Sequence, residues 1–226
     1  MRNALYVALV TIAILVSTYS GFELSRAGTT SFWLIVGGPT LIIAAIGMAR
    51  AYRDGDLRDW IRPAWGDATR GLLGAGAMFA CAYGFAKMTS GGPKESWLAR
   101  LYLQLGDPSM LRKHAVVIAL MIIVVAAAEE IVWRGLVTSL LAEKLGTRTA
   151  WLYSAGLYAL AHVGTLWALR DPEAGLNPVL PLAALGAGII WGGMAHYLGR
   201  LFPVILAHAL FDWLVVMTFR LWGVSV

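Results

Sequence analysis

Apolar runs about 20 residues long constrain this chain more than any other feature of its sequence. A helix needs about 20 mostly apolar residues to cross the hydrocarbon core of a bilayer. Charged residues make up 14% and hydrophobic residues 59% of the chain, whereas soluble domains carry about 25% charged residues. The prediction is an all-α fold, a polytopic transmembrane bundle of about seven helices. The predicted spans are residues 4–22, 32–49, 71–88, 115–141, 149–169, 179–198 and 201–222.

The segments between the spans bear on topology and partners. Their basic residues give most of the net charge of +5 and suit contact with anionic lipid, so the bilayer is a predicted partner and nucleic acid is not. Residues 50–70 hold five arginines, which by the positive-inside tendency places the N-terminus inside. Residues 87–113 hold five basic residues on the other side and argue against that orientation.

Other local features concern packing and processing. The first span lacks the small-x-small pattern of a cleaved signal peptide and is expected to remain as an anchor. Residues 96–105 are expected to form an interfacial helix with Trp97 and Leu98 in the headgroup layer. Small residues four apart predict close helix packing in the third and sixth spans. They are Gly76, Ala80 and Gly84 in the third, and Ala184, Gly188 and Gly192 in the sixth.

The sequence AAAEEIVWRG, residues 126–135, places three charges inside the fourth predicted span. A charge near the centre of a membrane helix costs about 2.5–3.5 kcal/mol on insertion scales, so Glu129, Glu130 and Arg134 require partners or a wet cavity. Helical spacing puts Glu130 and Arg134 on one face, within reach of a charge pair, while Glu129 points elsewhere. The alternative is a packing network that only fixes the register of the bundle.

Two later spans each carry a polar pair at the same spacing: Tyr158 with His162, and His208 with Asp212. A single histidine in a membrane span is usually a packing residue. Two histidines and two glutamates at similar depth can be satisfied only by one another or by water. The fourth, fifth and seventh spans are therefore predicted to enclose one polar cavity. The remaining histidines lie near span ends and are weaker candidates: His114 and His196.

Such a cavity suits hydrolysis with water as the nucleophile. The chain has no Gly-x-Ser-x-Gly turn and no HExxH, and Cys81 has no polar neighbour in its span, so serine or cysteine catalysis is poorly supported. A carboxylate beside histidines can take a proton from water and stabilise the oxyanion that follows. Two Glu and two His could also ligate zinc. No two histidines share a helix at i, i+4, so a site without metal or other cofactor is predicted.

The order of these groups, on separate spans, resembles the motifs of the CPBP family, the CAAX proteases and bacteriocin-processing enzymes formerly called Abi. The likeness covers residues 112–222. It implies an intramembrane endopeptidase of the glutamic type, in which the first glutamate activates water. The implied roles are water activation by Glu129 with His162, an oxyanion hole at His208 with Asp212, and orientation of the glutamate pair by Arg134 beside Glu130.

Two positions depart from the family pattern. The aromatic position, often Phe, is Tyr158, whose hydroxyl is a possible auxiliary group of the site. The last motif ends in Asp212 where Asn is common. An aspartate is a poorer oxyanion donor unless protonated, so orientation of His208 is its alternative role.

The resemblance leaves the substrate open, because family members cleave prenylated CAAX tails, process peptides, confer bacteriocin self-immunity or remove C-terminal sorting tails. The shared expectation is cleavage of a membrane-tethered peptide or protein by a catalytic core at 112–226 that follows N-terminal helices at 1–111. The compact size suggests an integral protein of a prokaryotic cytoplasmic membrane. One alternative is a transporter or proton-relay subunit, which the lack of a visible inverted repeat disfavours. The other is a non-catalytic immunity protein.

Overall fold

The computed structural model describes residues 2–223, and the described chain is almost entirely helical. Its only β-type pairing is an isolated bridge between Asp171 and Gly175. The predicted all-α transmembrane bundle is confirmed. The helices are α1 (Arg2–Gly21), α2 (Thr30–Asp54), α3 (Leu57–Ile61), α4 (Asp67–Thr89), α5 (Ser96–Leu105), α6 (Pro108–Lys113), α7 (Ala115–Glu130), α8 (Thr138–Leu145), α9 (Thr147–Ala161), α10 (Thr165–Ala168), α11 (Val179–Leu198) and α12 (Phe202–Trp213). Two π-helical segments, Ile131–Val137 and Leu214–Thr218, follow α7 and α12.

Five continuous helical segments within residues 2–223 are long and apolar enough to cross a membrane. They are α1, α2, α4, α11 and the segment Ala115–Leu145. This last segment consists of α7, the first π-helical segment and α8. The other two predicted spans correspond to shorter helices. The fifth is α9, with 15 residues, and the seventh is the apolar helix Phe202–Thr218.

The fifth predicted span is interrupted because α9 ends at Ala161. A turn at His162 and its neighbours precedes the short helix α10. Within this turn Gly164 lies against α1, where an added Cβ would stand 2.8 Å from the Cβ of Tyr19. The hydroxyl of Thr18 on α1 donates to the Ala161 carbonyl at 2.8 Å, which satisfies one of the acceptors left at the helix end. The interruption places His162 at the carboxyl end of a helix.

Close helix packing uses the predicted residues of the sixth span but not those of the third. An added Cβ at Gly188 would stand 2.7 Å from the Cβ of Ala155, so α11 and α9 approach at backbone distance. On α4, Gly76 and Gly84 have open space where a Cβ would stand. The packing face of α4 instead contains Gly74, whose Cβ would meet Met194 at 2.5 Å. A four-residue spacing of small residues does not by itself tell which face of a helix is covered.

Ion pairs connect the helices at the end of the bundle that holds the N-terminus, here called the amino-terminal end. Glu143 accepts hydrogen bonds from Asn3 (2.5 Å) and Arg50 (2.7 Å). Asp67 is buried and accepts two bonds from the Arg200 guanidinium, at 2.6 and 2.9 Å. The Glu143 contacts connect α1 and α2 to α8, and the Asp67–Arg200 pair connects the start of α4 to the turn between α11 and α12.

Helix α5 lies at the opposite end of the bundle and forms at the predicted bounds. It packs on the protein, with Leu98, Tyr102 and Gln104 buried. The Gln104 side chain donates to the Phe22 carbonyl at 3.1 Å. The expectation that Leu98 dips into the headgroup layer is therefore wrong, because this face of the helix covers the bundle.

Candidate active site

Glu129 and Glu130 are the last two residues of α7. The π-helical segment Ile131–Val137 follows them directly. All seven residues of that segment are buried. The Trp133 carbonyl accepts hydrogen bonds from the hydroxyls of Thr138 (2.7 Å) and Ser154 (2.8 Å). Backbone polar groups inside a membrane must find such internal partners. Single π turns within α-helices are frequent at functional sites.

Glu130 is the buried anchor of the site, with 0% exposure. Its Oε1 atom accepts a hydrogen bond from Arg134 at 3.0 Å, as the i, i+4 spacing predicts. The same oxygen lies 2.7 Å from Nδ1 of His208 on α12. Because a carboxylate only accepts, Nδ1 of His208 is the donor. Glu130 thus joins α7 to α12 through a charged hydrogen-bond network.

The Arg134 guanidinium is enclosed by three further groups. Its Nη2 atom donates to the Ala187 carbonyl on α11 at 2.8 Å. Its central carbon lies 4.7 Å from the ring centroid of Tyr158 and 5.9 Å from that of Trp191. Cation–π contacts of this kind stabilise a desolvated arginine. Arg134 therefore orients Glu130 and connects α7, α9 and α11.

Glu129 is held by a different residue, Tyr158 of α9. The tyrosine hydroxyl donates to Oε2 of Glu129 at 2.5 Å. The backbone carbonyl of Tyr158 lies 2.8 Å from Nδ1 of His162. Because a carbonyl only accepts, Nδ1 carries the proton and Nε2 is left for other partners. Tyr158 therefore positions both the glutamate and the histidine, one with its side chain and one with its backbone.

His208 lies between two carboxylates and under an indole ring. Its Nε2 atom is 3.5 Å from an Asp212 oxygen, which is ion-pair distance and long for a hydrogen bond. The imidazole packs on Trp191 with ring centroids 4.3 Å apart. The His208 side chain is 7% exposed and that of Asp212 is 29% exposed. Asp212 is thus the more accessible of the two.

A cavity of about 180 Å³ connects these groups. Thr18 and Phe22, near the end of α1, and Leu180, at the start of α11, also line it. It therefore extends from the middle of the bundle away from the amino-terminal end. Its volume is sufficient for several water molecules. The sequence-predicted residues that line it are Glu129, Tyr158, His162, His208 and Asp212, while Glu130 and Arg134 lie behind them.

Sequence reasoning did not single out Trp191, which lies against both His208 and Arg134. In the sequence, Trp191 is only an aromatic residue in a glycine-rich, uncharged span. An aromatic residue in such a span is more often a packing residue than part of a catalytic site. The weaker histidine candidates lie elsewhere. His196 stacks on Trp151 in a separate cavity near the amino-terminal end, and His114 is exposed at the start of α7.

The described side chains around the cavity do not have the arrangement of a zinc site. Structural and catalytic zinc sites use three or four protein ligands converging at about 2.0–2.3 Å. Within residues 2–223, no three His, Cys, Asp or Glu side chains form such a group. His208 directs Nδ1 at Glu130 and His162 directs Nδ1 at a carbonyl, so each has one ring nitrogen already engaged.

A membrane-spanning helical bundle with carboxylates and histidines on one internal cavity suits either acid–base chemistry or a proton pathway. Residues 111–214 match the family described as Type II CAAX prenyl endopeptidase Rce1-like. Residues 111–214 thus carry the CPBP-family domain that the motifs predicted, and this match supports an intramembrane protease at the level of the family. Neither the search of curated proteins nor the search of solved structures found a match.

Proposed function

We propose that this protein is a glutamic-type endopeptidase that hydrolyses a peptide bond in a membrane-anchored protein or peptide. The observation that carries the proposal is the meeting of Glu129, His162 and His208 on one cavity inside the bundle. A charged cluster that served packing alone would need no such cavity. Here the groups most suited to acid–base chemistry line it, while the Glu130–Arg134 pair lies behind them.

Glu129 is the proposed general base. Tyr158 occupies Oε2 of this carboxylate, so Oε1 is available to a water molecule. His162 is held with Nδ1–H on a carbonyl, which leaves Nε2 to accept a second hydrogen bond from that water. The water gives one proton to Glu129 while its oxygen attacks the peptide carbonyl. Correct positioning of the water and the base accounts for a large part of such catalysis.

The tetrahedral intermediate carries a negative oxygen that needs a donor. When His208 carries both protons, Nδ1–H remains on Glu130 and Nε2–H can donate to that oxygen. Asp212, 3.5 Å from Nε2, favours the imidazolium electrostatically and orients it. Glu129 then returns its proton to the leaving amine as the carbon–nitrogen bond breaks. The products are a carboxylic acid and an amine, and no acyl-enzyme forms.

The location of the cavity bears on the substrate. It lies within the bundle and extends away from the amino-terminal end, so a scissile bond is reached by a segment at or near the membrane. A membrane-tethered peptide satisfies this requirement, with or without a prenyl group. The chain is an integral membrane protein, and we assign it to a prokaryotic cytoplasmic membrane.

The test uses the purified full chain in proteoliposomes with a panel of membrane-tethered peptides, prenylated and unprenylated. Mass spectrometry is expected to find two products from at least one peptide. His162→Gln should abolish cleavage, while the matched variant His196→Gln, outside the site, should retain it. Hydroxylamine is expected to trap no hydroxamate, because no acyl-enzyme forms. A trapped hydroxamate, or equal activity of the two histidine variants, would contradict the mechanism.

A further inference from the structure

A cavity of about 510 Å³ lies outside the catalytic site, at the end of the bundle opposite the N-terminus. Its walls come from the last turns of α4, the chain around the start of α5, and the chain after the second π-helical segment. Phe79, Tyr83 and Phe219 provide aromatic surface. Lys87 and Arg220 provide two cations. The combination suits a ligand that is both apolar and anionic.

Arg220 is the most informative residue of this cavity. Its Nε and Nη1 atoms are buried and, within residues 2–223, have no hydrogen-bond partner. The guanidinium lies 4.4 Å from the ring centroid of Tyr102. Burial lowers the pKa of Arg220, since a charged group loses hydration there. The Arg220 side chain as a whole is half-buried and lines the cavity, so a small side-chain rotation lets its unpartnered N–H groups bind an anion with charge-assisted hydrogen bonds.

The chain that carries Arg220 is held in place by α5. The Tyr102 hydroxyl donates to the Val215 carbonyl at 2.6 Å and accepts from the Leu221 amide at 2.9 Å. These two bonds come from both sides of the turn that contains Arg220. The backbone that carries Arg220 is thus positioned before any ligand arrives, which reduces the entropic cost of binding.

The charged residues that line the cavity give it a net positive charge. Lys87 lies with Nζ 5.3 Å from the ring centroid of Tyr83. Glu95 also lines the cavity, but one of its oxygens accepts from the Gly91 amide at 2.9 Å. Two cations therefore face one carboxylate that is tied to its own loop.

The position of the cavity at the end of a membrane span favours a lipid over a soluble ligand. Helix α4 is long and apolar enough to span a bilayer and ends at Thr89, so the cavity lies where a span meets the headgroup region. Tyr83, Met88 and Phe219 are exposed by 49%, 86% and 57% around it, and such apolar surface suits acyl chains. We propose that this cavity binds an anionic phospholipid, with the phosphate at Arg220 and Lys87 and the glycerol and upper chains on the aromatic residues. Basic pockets between membrane helices are suited to acidic headgroups.

A lipid in this cavity would contact the helix that also lines the active site. Met78 lines the catalytic cavity and the next residue, Phe79, lines this one. Lipid binding is nevertheless measurable without any substrate, so its test does not depend on the proposed protease activity.

The experiment is native mass spectrometry of the full chain in neutral detergent, titrated with phosphatidylglycerol or with phosphatidylcholine of the same acyl chains. Wild type is expected to bind phosphatidylglycerol about tenfold more tightly, because its net negative charge attracts the two cations, whereas the choline group of phosphatidylcholine cancels the charge of its phosphate. Arg220→Gln should reduce this preference to about twofold or less, and Arg220→Lys should retain most of it. The control Arg170→Gln, at an exposed arginine of the same end, should behave as wild type.

Two further arms identify the source of the anion and guard against misfolding. Inorganic phosphate should not displace bound phosphatidylglycerol, because it lacks the apolar part; displacement by phosphate at equal concentration would make this a site for a free anion. Ala86→Trp fills the cavity while keeping both cations, and should also abolish the preference. Unchanged lipid preference in a folded Arg220→Gln or Ala86→Trp variant would overturn the proposal.

Discussion

The two adjacent glutamates provide a matched pair of substitutions with opposite expected effects. Glu129 lines the cavity and is partly exposed, whereas Glu130 is fully buried between Arg134 and His208. Replacing each by Gln removes one charge and changes side-chain size very little. We expect Glu129→Gln to lose activity and keep stability, and Glu130→Gln to lose stability.

The size of each effect follows from the contacts. In Glu129→Gln the amide oxygen can still accept the Tyr158 hydroxyl, so the free energy of unfolding should change by about 1 kcal/mol or less. Cleavage should fall by at least about 100-fold, because the base is absent. In Glu130→Gln the Arg134 side chain, 3% exposed, loses its counter-charge. Breaking a buried ion pair in this way costs about 3–5 kcal/mol.

The assay combines two measurements on proteins reconstituted under the same conditions. Peptide cleavage gives kcat/KM, and reversible unfolding in mixed micelles gives the free energy of unfolding for each variant against wild type. Wild-type cleavage by Glu129→Gln would show that this residue is not the water activator. Wild-type stability of Glu130→Gln would show that the Glu130–Arg134 pair does not hold the bundle together.

Three further predictions concern metal dependence of the activity, the Tyr158 hydroxyl and the Asp171 carboxylate. Dialysis against a strong chelator should leave activity unchanged; loss with recovery on adding zinc alone would recast Glu129, His162 and His208 as ligands. Tyr158→Phe removes the hydroxyl bonded to Glu129 and keeps the ring, so kcat/KM should fall about tenfold, and an unchanged value would exclude a role for that hydroxyl. Asp171 has a pKa lowered to about 2 by the Ala174 amide, Arg100 and the Glu173 amide. Because this is below the unfolded value, its stabilisation is present above pH about 4 and lost as the pH falls towards 2. The melting temperature of Asp171→Asn should therefore be lower than that of wild type at pH 6 and approach it near pH 2; an equal deficit at both would contradict the argument.

Local periodicity was sufficient to predict the helical bundle and the contacts within single helices. Apolar runs specify membrane helices because unpaired backbone polar groups cannot be tolerated in lipid. The spacing of Glu130 and Arg134 predicted their 3.0 Å contact, because residues four apart share a helical face. The same spacing brings His208 and Asp212 to 3.5 Å. Sequence spacing did not reveal that the fifth span ends at Ala161, since that turn depends on α1 packing against Gly164.

Contacts between helices were decided by the tertiary structure. The sequence placed two glutamates and two histidines at similar depth, but only packing pairs Glu130 with His208 and Glu129 with Tyr158. Adjacent residues of a helix point about 100° apart, so a rotation of α7 about its axis would change which carboxylate faces the cavity. Trp191 likewise joins the site only because α11 lies between α9 and α4, a relation between distant segments that no local pattern in the sequence contains.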